Sequence, residues 1–208
     1  MIIYLHGFNS DISKKRTKWL KQIDPFVIAP SIEYHDPQIL EKLSKIVEIA
    51  TAEVENRNDL ENKDEFDGEQ LVIIGKSLGG TVAYTLARKY GILPILINPS
   101  VEPDVTLAKY DNKIIENFKN GKKYHTGNLI EKLKKLRPEI DILGSVLLEK
   151  GDDILDYKVA EEAFKEWHSV RTFEGGSHSF EHWKELKEVI KRALTGHWKL
   201  SYFILDDD

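Results

Sequence analysis

Gly75-Lys76-Ser77-Leu78-Gly79-Gly80 places a serine among glycines, directly after the apolar run Leu71-Val72-Ile73-Ile74 and directly before an amphipathic stretch that ends at Tyr90. A G-x-S-x-G sequence on a strand-to-helix turn lifts a serine hydroxyl clear of a sheet edge, where it can act as a nucleophile in acyl transfer. A phosphate-binding loop is the competing reading of a Gly-Lys-Ser sequence. That loop needs an earlier glycine, separated from Gly-Lys-Ser by four residues, and the position where it would stand is Gln70. A serine hydroxyl is a weak nucleophile near pH 7, so the reading requires a base and an acid to orient it. Downstream, Glu149-Lys150-Gly151-Asp152-Asp153 puts carboxylates at the end of one apolar run, and Glu174-Gly175-Gly176-Ser177-His178 puts a histidine in a glycine-rich turn after another. His178 is therefore the candidate base and His182 the reserve, whereas His35, His125, His168 and His197 lack a strand-end setting. The acid is open among Asp152, Asp153 and Asp156, with Asp104 after an earlier run as a fourth choice; Asp156 also suits the N-cap of a helix beginning at Tyr157.

The tetrahedral intermediate of acyl transfer needs two N–H donors aimed at its oxygen. The residue after the nucleophile, Leu78, supplies one candidate, and Phe8 in Leu5-His6-Gly7-Phe8-Asn9 supplies the other. His6 reads as a prop for that turn. Phe8, Lys76 and Tyr124 are candidate substrate contacts, Lys76 because it adjoins Ser77, and Tyr124 because it is bulky and lies in a long insertion.

These residues fall at the ends of short apolar runs. Ile2–Leu5, Phe26–Ala29, Leu71–Ile74, Ile95–Ile97 and Ser145–Leu148 are nearly continuous, as strands covered on both faces are, and Val170–Phe173 is a weaker sixth. Helical periodicity lies between them: Ile39, Leu43, Ile46, Val47, Ala50 and Val54 after an Asp36 N-cap and Pro37; Val82, Ala83, Leu86, Ala87 and Tyr90 before Gly91; and Trp183, Leu186, Ile190 and Ala193. Strands alternating with helices predict an α/β domain with a mostly parallel six-stranded sheet, helices on both faces, and ligands at the carboxyl ends of the strands.

The 208 residues are expected to form one domain, with a small helical cap at 104–138, an acidic surface loop at 54–69 and a tail at 195–208. A net charge of −5 gives no basic field for nucleic acid. The longest apolar run, Met1–Leu5, is far too short for a membrane span, and it lacks the basic start and cleavage site of a signal peptide. Zero cysteines exclude disulfides and a thiol nucleophile and suit a reducing, cytoplasmic setting. Scattered histidines without H-E-x-x-H disfavour a metal hydrolase. A calcium loop centred on Gly68 fails because Lys63 and Ile74 fall where acids are required. No metal or cofactor is expected, the partner is a small-molecule ester or thioester, and oligomeric state is left open.

With these residues in place, the chain resembles the α/β-hydrolase superfamily and, within it, small bacterial serine esterases of the YqiA type. The matching pieces are Tyr4–Ser10, Gly75–Gly80, Asn98–Pro103, Gly151–Tyr157 and Glu174–His178, in order along nearly the whole chain. Two positions depart from that family's pattern: Lys76 stands where a small residue is usual, and Glu102 where an arginine is. The resemblance implies a minimal α/β-hydrolase fold and an esterase with Ser77 as nucleophile, His178 as base and Asp152 as acid, working through an acyl-enzyme. An acyl-thioesterase with the same triad is the nearest alternative, and a non-catalytic hydrolase-fold binding protein the more distant one.

Overall fold

The computed structural model describes residues 1–63 and 68–196. Each apolar run becomes a strand: β1 (Ile2–Leu5), β2 (Val27–Ile28), β3 (Val72–Lys76) and β4 (Leu93–Ile97) in the first half of the chain. A separate antiparallel pair follows, β5 (Ile114–Glu116) and β6 (Lys123–His125), and then β7 (Gly144–Glu149) and β8 (His168–Phe173) complete the main sheet. That sheet has six strands in the order β2-β1-β3-β4-β7-β8, every neighbouring pair parallel. Alternate residues of a strand point to opposite faces, and this divides the core in two. Ile3, Leu5, Ile73, Leu96, Val146 and Leu148 face one cluster, while Ile2, Tyr4, Val72, Ile74, Ile95, Ile97 and Leu147 face the other.

The first cluster is covered by α2 (Ile39–Leu60), α3 (Leu78–Tyr90) and α6 (Tyr157–Phe164), the second by α1 (Lys14–Leu20) and α7 (Trp183–Leu194). Helix α3 stops where the sequence predicts, at Gly91 in the left-handed conformation (φ 65°), whose N–H donates to the Ala87 carbonyl. Helix α2 departs from expectation at both ends. Asp36 is not its N-cap: the carboxylate accepts from the Gln38 N–H and binds Lys42, and the helix opens at Ile39. At the other end it continues to Leu60, so residues 54–60 of the expected acidic loop are helical. Arg57 explains the overrun, since its guanidinium reaches back to Glu53, across to Glu69, and lies over the Phe26 ring at 4.1 Å. Within that stretch residues 64–67 lie outside the described residues, as does the tail from residue 197 onward, with His197.

The insertion between β4 and β7 is not purely helical. Short helices α4 (Pro103–Thr106) and α5 (Leu129–Lys134) flank the β5–β6 hairpin, which turns through Asn117–Lys122 with Gly121 at φ 68°. The Asn and Gly residues of that turn supply the conformation a hairpin needs.

Candidate active site

Ser77 lies between β3 and α3 with φ 55° and ψ −126°, a backbone conformation sparsely populated for any residue with a side chain. Surrounding backbone over-determines it: the Ser77 N–H donates to the Ile97 carbonyl at 3.0 Å, and its own carbonyl accepts from Gly80 (2.8 Å) and Ser100 (3.2 Å). The flanking glycines are required by close approach. A Cβ at Gly75 would sit 2.2 Å from the Gly79 carbonyl oxygen, and one at Gly79 would sit 2.3 Å from that of Leu5. The turn after β1 abuts the serine as well, since a Cβ at Gly7 would lie 3.1 Å from the Ser77 Cβ. Leu78 opens α3, where the first N–H groups have no intrahelical acceptor.

The Gly7–Asn9 turn is held from below by His6, which is buried. Its Nε2 accepts from the Ile32 N–H and its Nδ1 donates to the Gly7 carbonyl, both at 2.9 Å, so the bonding pattern is that of a neutral imidazole. Burial also lowers its pKa. Tyr34 adds a bond from its hydroxyl to the His6 carbonyl. The Phe8 ring packs against Tyr110 and Tyr34, with centroids 5.4 and 6.5 Å apart. The hairpin is fastened to the same turn: Asn9 donates to the Glu116 carbonyl and accepts from the Phe118 N–H, while Lys119 binds Asp11 and Ser31.

At the ends of β7 and β8 the structure brings His178 and Asp152 together. His178 Nδ1 lies 2.8 Å from Asp152 Oδ2 and 3.0 Å from Oδ1. The aspartate side chain is 1% exposed, and its Oδ1 also accepts from the Ile154 and Leu155 N–H groups. Burial alone would raise the Asp152 pKa, but the bonds from His178, Leu155 and Ile154 outweigh it and hold the carboxyl below its ordinary value. The other acids are engaged elsewhere. Asp104 is clasped by Arg137 through Nε (2.6 Å) and Nη2 (2.9 Å), Asp156 caps α6 by accepting from Lys158, and Asp153 is exposed. Glu102, on the same arginine at 3.2 Å, belongs to that cluster.

His182 takes a different partner, Glu149, at 2.7 Å, with its ring stacked on Phe173 at 4.3 Å. Glu149 is fully buried, yet its carboxylate accepts from the backbone of Ser177, Glu181 and His182 as well. Burial raises its pKa; the N–H donors and His182 pull it down further, leaving it below the ordinary carboxylate value. Asn98 joins these pieces from the end of β4, accepting from the Glu149 N–H and donating to the Ser177 carbonyl. Sequence reasoning saw Glu149 only as one carboxylate among several; its hub role depends on partners some thirty positions away.

Lys76 points to the α1–α7 face of the sheet. Burial and the nearby Arg16 charge lower its pKa to about 8, against the pull of Asp152 and Glu149. Tyr124 stacks on His35 at 4.1 Å, so its ring is committed to the connection after β2.

Comparison with known proteins agrees with this architecture. Residues 1–194 match the model of an uncharacterised protein family, UPF0227. A UPF0227 protein of Shewanella sp. strain MR-4 is 25% identical over 197 residues, covering 86% of this chain and 91% of that protein. Among solved structures, Est1E from Butyrivibrio proteoclasticus, with ferulic acid bound, superposes with a TM-score of 0.62 at 15% identity, covering 92% of this chain and 86% of that one. The Pyrococcus furiosus esterase Pf2001 gives 0.55 at 17% identity (93% and 83% covered), and mouse alpha/beta hydrolase domain-containing protein 10 gives 0.55 at 14% (91% and 87%). At such identities these superpositions speak for the fold alone. The chain belongs to UPF0227 and carries the α/β-hydrolase fold.

Proposed function

We propose that the protein is a serine esterase acting on carboxylic esters of small or medium acyl groups. The observation that carries this reading is the conjunction, at one sheet edge, of a serine in a strained strand-to-helix turn with a histidine held by a buried aspartate. In the first half-reaction Ser77 Oγ attacks the ester carbonyl carbon while its proton passes to Nε2 of His178. The resulting oxyanion is bonded by the backbone N–H groups of Phe8 and Leu78. As the intermediate collapses, the C–O bond to the alcohol breaks and His178 returns its proton to the departing oxygen. Water then attacks the acyl-enzyme, giving a proton to His178; the Ser77 ester bond breaks, Ser77 Oγ recovers that proton, and the carboxylic acid leaves. Throughout, Asp152 holds the Nδ1–H tautomer and offsets the charge of the imidazolium.

Phe8, packed against Tyr110 and Tyr34, offers an apolar wall beside Ser77 and is our assigned substrate contact, whereas Lys76, on the α1–α7 face, and Tyr124, stacked on His35, are engaged elsewhere. The 104–138 insertion serves as a cap over the ligand edge. Two neighbours in fold are described as esterases or hold a phenolic acid, which favours an acyl ester as the substrate. No helix among the described residues is long and apolar enough to cross a membrane, and a chain without cysteine suits a reducing compartment, so we assign it to the cytoplasm. The test is hydrolysis of p-nitrophenyl esters and acyl thioesters of graded chain length by wild type and Ser77→Ala. Wild type should turn over short esters, and the variant should lose about 10⁶ in rate. Activity retained above about a hundredth of wild type would refute the nucleophile, and a panel cleaved only as thioesters would refute the ester assignment.

A further inference from the structure

We propose that Glu149 is the positioning residue for His178, its buried carboxylate gathering the N–H groups of residues 177–182 so that the imidazole is presented to Ser77. The inference rests on the esterase reading, which makes His178 the base. Glu149 closes β7, and His178 rides on the loop between β8 and α7, a segment with glycines at φ 67° (Gly175) and 73° (Gly176). Left to itself, such a loop has wide conformational freedom. One side chain removes it. Glu149 Oε2 accepts from Ser177 N–H at 2.6 Å, immediately before the histidine, and Oε1 accepts from Glu181 N–H (2.6 Å), His182 N–H (3.1 Å) and His182 Nδ1 (2.7 Å), after it. The carboxylate thus grips both sides of His178 without touching it.

Two further observations fit a clamp. A Cβ at Gly176 would lie 2.1 Å from Glu149 Oε2, so the backbone approaches the carboxylate as closely as glycine permits. The clamp is also braced from β4, where Asn98 accepts from the Glu149 N–H and donates to the Ser177 carbonyl. The adjoining Ile97 carbonyl accepts from the Ser77 N–H. The strand end that holds the serine therefore also holds the histidine loop, and Glu149 links the two. A carboxylate removed from water is costly unless its oxygens are fully bonded. A fully buried glutamate is therefore more than α7 needs to begin, since an exposed cap would serve that end.

The test measures both the rate and the final extent of fluorophosphonate labelling of Ser77, with kcat and KM for p-nitrophenyl acetate, in wild type, Glu149→Gln and His182→Ala. A glutamine keeps the shape but turns one acceptor oxygen into a donor that faces N–H groups. Misplacing a catalytic group by an ångström can cost 10²-fold, so Glu149→Gln should label about 10 to 100 times more slowly, to the same final extent. Its kcat should fall by a similar factor with KM within about threefold, the mark of an interaction felt in the transition state. His182→Ala removes one of the four donors and should give a smaller loss of rate with full final labelling. A wild-type labelling rate in Glu149→Gln overturns the proposal, and so does a loss of rate matched by an equal loss of final extent, which reports only unfolding. If Glu149→Gln yields no folded protein, His182→Ala decides, an unchanged rate being the refuting result. A wild-type protein that never labels at Ser77 refutes the esterase reading first, before any variant is compared.

Discussion

Glu149, the last residue of β7, and Asp152, three positions on, each hold a histidine, and the two carboxylates differ in what else they bind. Asp152 holds His178 and accepts two nearby backbone N–H groups of its own loop, from Ile154 and Leu155, whereas Glu149 holds His182 and collects three backbone N–H groups from the loop that carries both histidines. Asp152→Asn should therefore lower kcat by about 10⁴ at neutral pH, because the amide favours the wrong imidazole tautomer. Asp153→Asn, at an exposed position, should stay within about tenfold. Asp104→Asn should lower the melting temperature by breaking the Arg137 clasp and leave kcat in place. Asp156→Ala should cost about 1 kcal/mol of stability through loss of its cap. Steady-state kinetics with thermal melts on the four variants checks this division; a silent Asp152→Asn with a crippled Asp104→Asn would reverse it. Ser77 and His178 can be proposed from the sequence because a nucleophile turn and a glycine-rich histidine loop have local signatures. Glu149 cannot be singled out there, because nothing near it in sequence announces the four donors that fold around it.

At the scale of elements, periodicity places the strands and helices except where tertiary contacts override composition. Residues 54–60 look like solvated loop, yet Arg57 binds Glu53 and Glu69 and carries α2 another turn. In the insertion, Ile114-Ile115-Glu116 is too short for periodicity to separate strand from helix, and its pairing partner is set by the Asn117–Lys122 turn. Because Asn9 ties that hairpin to the turn beside Ser77, Asn9→Ala or Phe118→Ala should alter relative rates across ester chain lengths. An identical chain-length profile in both variants would argue against the cap. His168, at the start of β8, is a further case. Its ring lies against Tyr84 and Phe164, neither nitrogen has a hydrogen-bond partner among the described residues, and burial lowers its pKa to about 4. The unfolded chain takes up this proton near 6.5 while the folded chain resists it, so stability is full above pH 6.5 and declines as pH falls toward 4. The loss is about 3 kcal/mol at most. Urea melts between pH 7 and 4 should show a shallower decline in His168→Leu than in wild type; equal slopes would remove His168 as the cause.

For the whole molecule, a mostly parallel six-stranded sheet covered by helices on both faces is legible from the apolar runs and the helical periodicity between them, whereas the order β2-β1-β3-β4-β7-β8 is set by tertiary pairing; Phe8, Ser77, Asp152 and His178 follow the carboxyl ends of its strands. Substrate is not legible in any motif: under the proposed cap role, it is set by the seating of the insertion after β4, which rests on contacts of Asn9 and His35 with the hairpin. The amino ends of the strands should tolerate change. Residues 63 and 68 lie in the connection between α2 and β3, which enters β3 at its amino end, while Ser77 follows the carboxyl end, so excising residues 64–67 should leave kcat within about twofold. Whether Ser77 carries the acyl group is decided by acid-quenching the enzyme during turnover of a p-nitrophenyl ester and mapping the acylated peptide by mass spectrometry. One acyl group per chain is expected, on Ser77 and absent in Ser77→Ala. Acyl transfer to another residue, or steady hydrolysis in Ser77→Ala at the wild-type rate, would contradict it.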